Sequence, residues 1–130
     1  MNKNMTSWSP PVVLLLILAA GLIAEEKSST FEGTLVCSKC YLTDNSLTTN
    51  YHFPMKPCGT LCLQNSSPAG LVTKDKQFYV IVAPSKTLAE HVGRQTQVSG
   101  SLHGNALLAT TVQVDKSGHW EKVDLQNMMQ

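Results

Sequence analysis

The sequence has no excess of charge of either sign and little charge altogether. Charged residues make up 15% of the chain, and ten Lys and Arg stand against nine Asp and Glu. After Ala24, nine basic residues balance nine acidic ones, and no run of basic residues is found. Proteins that bind nucleic acid through its phosphates need many uncompensated Lys and Arg. The charge pattern therefore argues against nucleic acid as a partner.

Motifs for catalysis are also missing. The sequence has no glycine-rich phosphate-binding loop, no nucleophile elbow and no closely spaced carboxylate pair. Covalent attachment of haem needs a histidine directly after the second cysteine of a C-x-x-C pair, and Tyr41 occupies that position. We therefore predict that the protein is not an enzyme and carries no c-type haem.

Long hydrophobic runs are absent apart from one near the N-terminus. Residues 12–24 are thirteen uninterrupted Val, Leu, Ile, Ala and Gly residues, and Glu25 follows them. A helix of that length spans roughly 20 Å, which is short of the ~30 Å hydrocarbon core of a bilayer. Such a segment is typical of a signal peptide, so we predict that residues 1–24 are removed and that the protein is periplasmic or secreted. The alternative is an uncleaved anchor in the inner membrane, with the domain facing the periplasm.

Cysteines are absent outside one stretch, which contains all four of them. Cys37 and Cys40 form a C-x2-C pair, and seventeen residues later Cys58 and Cys62 form a C-x3-C pair. Two close pairs separated by a loop are typical of a tetrahedral zinc site, because each pair reaches the ion from one turn. An exported chain also meets an oxidising compartment, where four cysteines can pair as disulfides in three connectivities.

Three further possibilities concern the same stretch. His52 is a possible alternate metal ligand, which would join the other three cysteines if Cys37 were not a ligand. Met55 offers another soft sulfur and makes copper the second candidate metal after zinc. A catalytic dithiol is the weakest reading, because Cys37 and Cys40 are expected to end a strand and not to open a helix that lowers a thiol pKa.

Apolar alternation and turn residues predict an all-β domain with one short helix in residues 28–123, followed by a disordered tail at 124–130. The predicted helix is at 85–92, the predicted polar loop is at 41–57, and strands are predicted at 31–36, 71–73, 77–83, 94–104, 105–115 and 119–123. Branched apolar residues of one parity in each strand predict a core that includes Val80, Val82, Val98, Leu102, Leu108 and Val112.

This order of elements is that of the OB-fold, a five-stranded, partly open barrel. The run Leu-Ala-Glu-His-Val-Gly-Arg-Gln-Thr-Gln-Val-Ser-Gly at 88–100 resembles the passage from helix to fourth strand in small exported bacterial OB-fold proteins. Ser-Lys-Cys-Tyr-Leu at 38–42, the Cys58/Cys62 pair and Gly-Leu-Val-Thr at 70–73 are similar to features of a group of exported, largely uncharacterised bacterial proteins. The resemblance implies an OB-fold-like barrel with a cysteine-bearing insert at 37–62 between strands 1 and 2, and it implies no particular activity.

These features predict an exported OB-fold binding module. We expect its four-cysteine insert to bind a metal ion, with zinc favoured, in a non-catalytic binding or assembly role. The alternative is a thiol-disulfide or copper-handling protein of the cell envelope, in which the cysteines are paired or redox active. We expect a protein partner in the cell envelope, and contact with the membrane only through an uncleaved N-terminal segment.

Overall fold

The computed structural model describes residues 27–44, 48–51 and 57–126. Strands make up about half of this part of the chain: β1 Ser29–Cys37, β2 Ala69–Thr73, β3 Phe78–Val82, β4 Gln95–His103, β5 Ala106–Lys116 and β6 His119–Val123. Three short helices accompany them, namely α1 Ser38–Thr43, α2 Cys58–Gln64 and α3 Ser85–Leu88, and a 3-10 turn at Ala89–His91 continues the last one. The predicted signal segment at 1–24 and the end of the predicted tail at 127–130 lie outside the described residues. Within the described ranges, no helix is long and apolar enough to cross a membrane.

The strands form one sheet in the order β3-β2-β1-β4-β5-β6, in which each strand runs antiparallel to its neighbour. A short parallel pairing joins β3 to β5, from Val80 opposite Ala106 to Val82 opposite Leu108. The strands therefore form a partial ring, and β6 pairs with β5 at the edge of the sheet. Because β1 pairs with both β2 and β4, the strand that ends in Cys37 is held on both sides.

The core fills the inside of this ring and continues beneath the helices. Its fully buried side chains include Leu35, Leu71, Ile81, Val98, Leu107 and Val112 from the strands. Leu63 of α2 and Leu88 of α3 are also 0% exposed and belong to the same cluster. A leucine buried to this extent stabilises the fold by about 1.5–3 kcal/mol relative to an exposed one. The helices are therefore part of the folded unit that contains the sheet.

A β-bulge explains part of the disagreement with the predicted core. Of the six residues predicted as core, Val98 and Val112 are buried and Val80 is half-buried. The other three are 41–47% exposed, namely Val82, Leu102 and Leu108. The register between β4 and β5 shifts at Ser99/Gly100, so that Thr110 of β5 has no residue opposite it in β4. An extra residue reverses the alternation of faces beyond it. Leu107 is therefore buried on the strand that also buries Val112, and Leu108 is exposed.

The prediction of one short helix is wrong, because α1 and α2 are helices where a loop and a turn were expected. Neither helix has a side-chain hydrogen bond at its N-cap, where Cys37 and Pro57 stand. The two helices have only six and seven residues. Helices that short are unstable in isolation and depend on tertiary packing. That packing, described below, is what brings the cysteines together.

Candidate metal centre

The first cysteine pair lies at the junction of β1 and α1. Cys37 is the last residue of β1 and the N-cap of α1, and it is 2% exposed. Cys40 follows in the first turn of α1 and is half-buried. Tyr41 is 6% exposed, and its ring stacks on that of Phe78 in β3 with 5.2 Å between the ring centroids. This aromatic contact fixes α1, and with it the first pair, against the sheet.

The second pair lies on α2, with its members one helical turn apart. Cys58 is the first residue of the helix and is 4% exposed, while Cys62 is half-buried. Residues four apart lie on the same face of a helix, so both thiols point the same way. Leu63 anchors the helix in the core, and a Cβ added to Gly59 would lie 2.5 Å from Cγ1 of Val92. Packing therefore sets the position of α2 closely.

A hydrogen-bond network around Asn50 fastens α2 to its surroundings. The backbone N–H of Thr60 donates to Oδ1 of Asn50 at 2.7 Å, and Nδ2 of Asn50 donates to Oγ1 of Thr60 at 2.8 Å. Oγ1 of Thr60 donates in turn to the carbonyl of Ala89 at 2.7 Å, and the N–H of Gly59 donates to the carbonyl of Asn50 at 3.2 Å. Each such bond contributes about 0.5–1.5 kcal/mol. The network therefore links three parts of the chain, namely the segment around Asn50, helix α2 and the 3-10 turn, and it does so without a metal ion.

The two pairs meet, and three of the four sulfurs form a compact group. The Sγ atoms of Cys37, Cys40 and Cys62 all lie within 4.8 Å of one another. The Sγ atom of Cys58 lies 3.8 Å from that of Cys40. Zinc binds sulfur at about 2.3 Å, so two sulfurs of a tetrahedral site lie about 3.8 Å apart. The spacing therefore fits a metal ion, and all four cysteines are free of disulfide bonds.

Burial and crowding disfavour the thiolate form of Cys40 in the metal-free chain. Burial raises the pKa of Cys40 well above its usual value, and the neighbouring thiols of Cys37, Cys58 and Cys62 raise it further. Nearby thiolates repel one another, yet only the thiolate is a good metal ligand. A cation in the group would reverse this balance, because each thiolate would then face positive charge. Metal binding at this site is thus expected to release protons.

The predicted site residues have different outcomes. The structure brings three of the four predicted cysteine ligands into one group and sets the fourth, Cys58, against Cys40. The predicted alternate ligand, His52, and the residue behind the copper alternative, Met55, lie outside the described residues. The reason given against a dithiol role is wrong, because Cys37 does open a helix. That helix has only six residues.

The sequence analysis singled out neither Asn50 nor His91. His91 is 8% exposed, and its Nδ1 has no hydrogen-bond partner in the described part of the chain. A signal for its burial exists, because Leu88 lies three residues earlier, on the same face of a helix. Asn50 carries no such signal, since its main partner, Thr60, is ten residues away across the loop.

The cysteine group is the one cluster of three or more His, Cys, Asp or Glu ligand atoms within 4.8 Å in the described ranges. Its donors are all sulfur, which suits zinc, copper(I) or iron–sulfur chemistry and not magnesium or calcium. Comparison with protein-family models, with curated proteins and with solved structures found no match for this chain.

Proposed function

We propose that this chain is an exported OB-fold module that binds a zinc ion through its four cysteines and has a non-catalytic binding or assembly role. One observation carries the proposal, namely the meeting of the two cysteine pairs. The sulfurs of Cys37, Cys40 and Cys62 lie within 4.8 Å of one another, and Cys58 is 3.8 Å from Cys40. Structural zinc sites are almost always four-coordinate, and Cys58 is the sulfur available as the fourth ligand.

The bound ion would connect two helices that the sequence separates by a long polar segment. Cys37 and Cys40 belong to the β1–α1 junction, and Cys58 and Cys62 belong to α2. Asn50 already fastens part of the polar segment to α2 by hydrogen bonds, and ligation of the flanking cysteines would order the segment further. Zinc in this position would therefore fix the surface formed by α1, α2 and the segment between them, which is a structural task and not a catalytic one.

The strand pairing supports the OB-fold part of the proposal. β1 pairs with both β2 and β4, and β3 pairs with both β2 and β5, so the first five strands lie in the order β1-β2-β3-β5-β4 around a partial ring. The OB-fold is a five-stranded, partly open Greek-key barrel. The apolar run at 12–24 supports export. Exposed apolar side chains beside the cysteine helices, Leu42, Tyr51 and Leu61, support a protein partner in the cell envelope.

Metal content and thiol counting test the proposal together. Protein purified without added metal should contain one zinc per chain, and all four cysteines should react with a thiol reagent after denaturation with a chelator. Cys62→Ser should lose the zinc, because it removes a member of the three-sulfur group. Leu61→Ser, on the same helix but with a side chain 41% exposed, should keep it. Metal-free protein with no reactive thiol after denaturation would instead support structural disulfides.

Copper handling is the second candidate, and the three-sulfur group favours it. Cys37, Cys40 and Cys62 meet without Cys58, and thiolate sulfur is a soft ligand that suits copper(I). Protein expressed in the presence of both metals under reducing conditions discriminates the two candidates. Copper in place of zinc in the purified protein, and retention of copper in Cys58→Ser, would support the copper alternative.

A further inference from the structure

The structure narrows the three disulfide connectivities that four cysteines allow. One of them needs a bond between Cys58 and Cys62, which lie four residues apart on α2. Such positions hold their Cβ atoms about 5–6 Å apart, whereas a disulfide needs about 3.5–4.5 Å. That connectivity would therefore require α2 to unwind, although Leu63 and the hydrogen bonds of Thr60 hold it in place.

The remaining two connectivities differ in how well the sulfurs are placed. In one of them Cys40 joins Cys58 and Cys37 joins Cys62. The first of these pairs is 3.8 Å apart and the second lies within the 4.8 Å group. The other connectivity needs Cys37 to join Cys58, which lies outside that group and has its sulfur contact with Cys40.

Exposure follows the same pairing. Cys40 is half-buried, and its neighbour Cys58 is 4% exposed. Cys62 is half-buried, and Cys37 is 2% exposed. Each pair therefore contains one cysteine that is partly exposed and one cysteine that is buried. This is the arrangement that thiol–disulfide exchange uses, in which an accessible cysteine reacts first and a second cysteine resolves the mixed disulfide.

We propose that the cysteine centre is a redox switch whose oxidised form contains the disulfides Cys40–Cys58 and Cys37–Cys62. Its metal-releasing action rests on the proposed zinc-binding function, whereas the connectivity does not. A low-molecular-weight disulfide such as oxidised glutathione is the oxidant. Cys40 first loses its proton, and the thiolate then attacks one of the oxidant's sulfurs, so that the S–S bond of the oxidant breaks and one reduced glutathione leaves. Because burial raises the pKa of Cys40, this thiolate is a minor species and its attack is the slow step. The sulfur of Cys58 then attacks that of Cys40 and releases the second reduced glutathione.

The same two steps at Cys62 and Cys37 form the second bond. In each pair the two cysteine thiols are oxidised, the oxidant is reduced to two thiols, and the two cysteine protons end on those thiols. Disulfide sulfur is no longer a thiolate, so the oxidised centre has lost its metal ligands. Metal-bound and disulfide-bonded states therefore exclude each other. Both states hold α1 next to α2, so the switch changes the ligand at the centre and keeps the two helices together.

Oxidation of the full domain by oxidised glutathione tests the connectivity. The metal-free protein is treated with the oxidant and digested with trypsin, which cuts after Lys39, and chymotrypsin, which cuts after Leu61. The first cut separates Cys37 from Cys40, and the second separates Cys58 from Cys62. We expect mass spectrometry to find Cys40 linked to Cys58 and Cys37 linked to Cys62. A product in which Cys37 is linked to Cys40 or to Cys58 would overturn the proposal.

Variants that retain two cysteines give an independent measurement. Cys37→Ser/Cys62→Ser retains Cys40 and Cys58 and should form a disulfide within one chain. Cys37→Ser/Cys40→Ser retains Cys58 and Cys62 and should form none while circular dichroism shows a folded chain. A folded first variant that keeps both thiols reduced under the conditions that oxidise the wild type would contradict the proposed pairing. If the variants do not fold, the digest of the wild type decides.

Zinc release separates this inference from the proposed function. Zinc-loaded protein treated with oxidised glutathione should lose its zinc to a chromophoric chelator as its four thiols disappear. Oxidation to the predicted connectivity in a protein that never bound zinc would refute the zinc proposal and leave the connectivity standing. Zinc that stays bound under excess oxidant, with all four thiols still reduced after denaturation, would refute the switch and leave the zinc proposal standing.

Discussion

Leu107 and Leu108 are neighbours in the sequence that lie on opposite faces of β5. Leu107 is 0% exposed and Leu108 is 45% exposed. Leu107→Ala should lower the free energy of unfolding by about 2–4 kcal/mol, because it leaves a cavity in the core. Leu108→Ala, the matched control, should change it by about 0.5 kcal/mol or less. Urea unfolding of both variants measures the difference, and equal losses would show that the two faces are assigned wrongly.

His91 makes the stability of the domain depend on pH. Burial lowers the pKa of His91 below 6.5, although Glu90 acts in the opposite direction. The unfolded chain therefore binds a proton at a higher pH than the folded chain does. The stability that neutral His91 contributes is fully present above the unfolded pKa, and it is lost as the pH falls from about 6.5 toward the lowered folded value.

Urea unfolding of chelator-treated protein at about pH 7.5 and at about pH 5.5 checks this expectation without interference from metal loss. The wild type should be less stable at the lower pH. His91→Gln should show a smaller loss, because it removes the group that takes up the proton. His119→Gln, at an exposed position, should keep the loss seen in the wild type. An unchanged pH dependence in His91→Gln would place its origin elsewhere.

At the scale of elements, the strands were predictable from the sequence and two of the helices were not. Strands with alternating or branched apolar residues between turn residues, such as Gln95–His103, were found within one or two residues of their predicted ends. The two cysteine helices have no capping side chain at their N-termini and are too short to show a helical period. What makes them helical is contact with distant residues, such as that of Tyr41 with Phe78.

The candidate site was predictable in its residues and not in its geometry. C-x2-C and C-x3-C pairs identify four thiols that can meet. The packing of α2 determines which sulfurs meet. It places Cys58 in contact with Cys40 and outside the group of three. The packing is decided by Gly59 against Val92 and by Asn50 against Thr60, which are contacts between segments far apart in the chain. No local pattern contains them.

Gly59→Ala tests how closely α2 is packed against its neighbours. An added Cβ would lie 2.5 Å from Cγ1 of Val92 and 3.0 Å from Oδ1 of Asn50, so the helix or its neighbours must shift. Overpacking of this kind should lower the free energy of unfolding by about 1–3 kcal/mol. It should also weaken zinc binding, because Cys58 and Cys62 move with the helix. Leu61→Ala on the exposed side should change stability by about 0.5 kcal/mol or less.

Thermal unfolding and chelator competition measure the two effects of Gly59→Ala. A variant with weakened zinc binding but unchanged stability would show that the helix moves without strain. A variant unchanged in both respects would show that Val92 and Asn50 can shift without loss of stability, and that α2 is not closely packed against them.

For the whole molecule, zinc should act as a stabilising ligand of a domain that folds without it. Cys37 belongs to the core cluster, and Cys40 and Cys62 pack against it, but most of the cluster consists of apolar strand and helix residues that are not proposed ligands. Chelator-treated protein should therefore still unfold cooperatively. Free zinc at 100 times its dissociation constant should add about 2.7 kcal/mol to the free energy of unfolding. Calorimetry over a series of free zinc concentrations measures this, with magnesium as the control metal. Loss of all cooperative unfolding after chelation would show that the cysteine centre is required for the fold.

β1 sets the distance between the start of the described domain and its thiols. The strand runs from Ser29 to Cys37, which is nine residues and therefore eight steps of about 3.3 Å, or about 26 Å in total. The chain enters the sheet at one end of this strand and reaches the cysteines at the other. If the leader were kept as an anchor, the length of β1 would lie between the point where the chain enters the sheet and the thiols. In that case we would expect the centre to meet a diffusing partner or a soluble oxidant without release of the protein from the membrane.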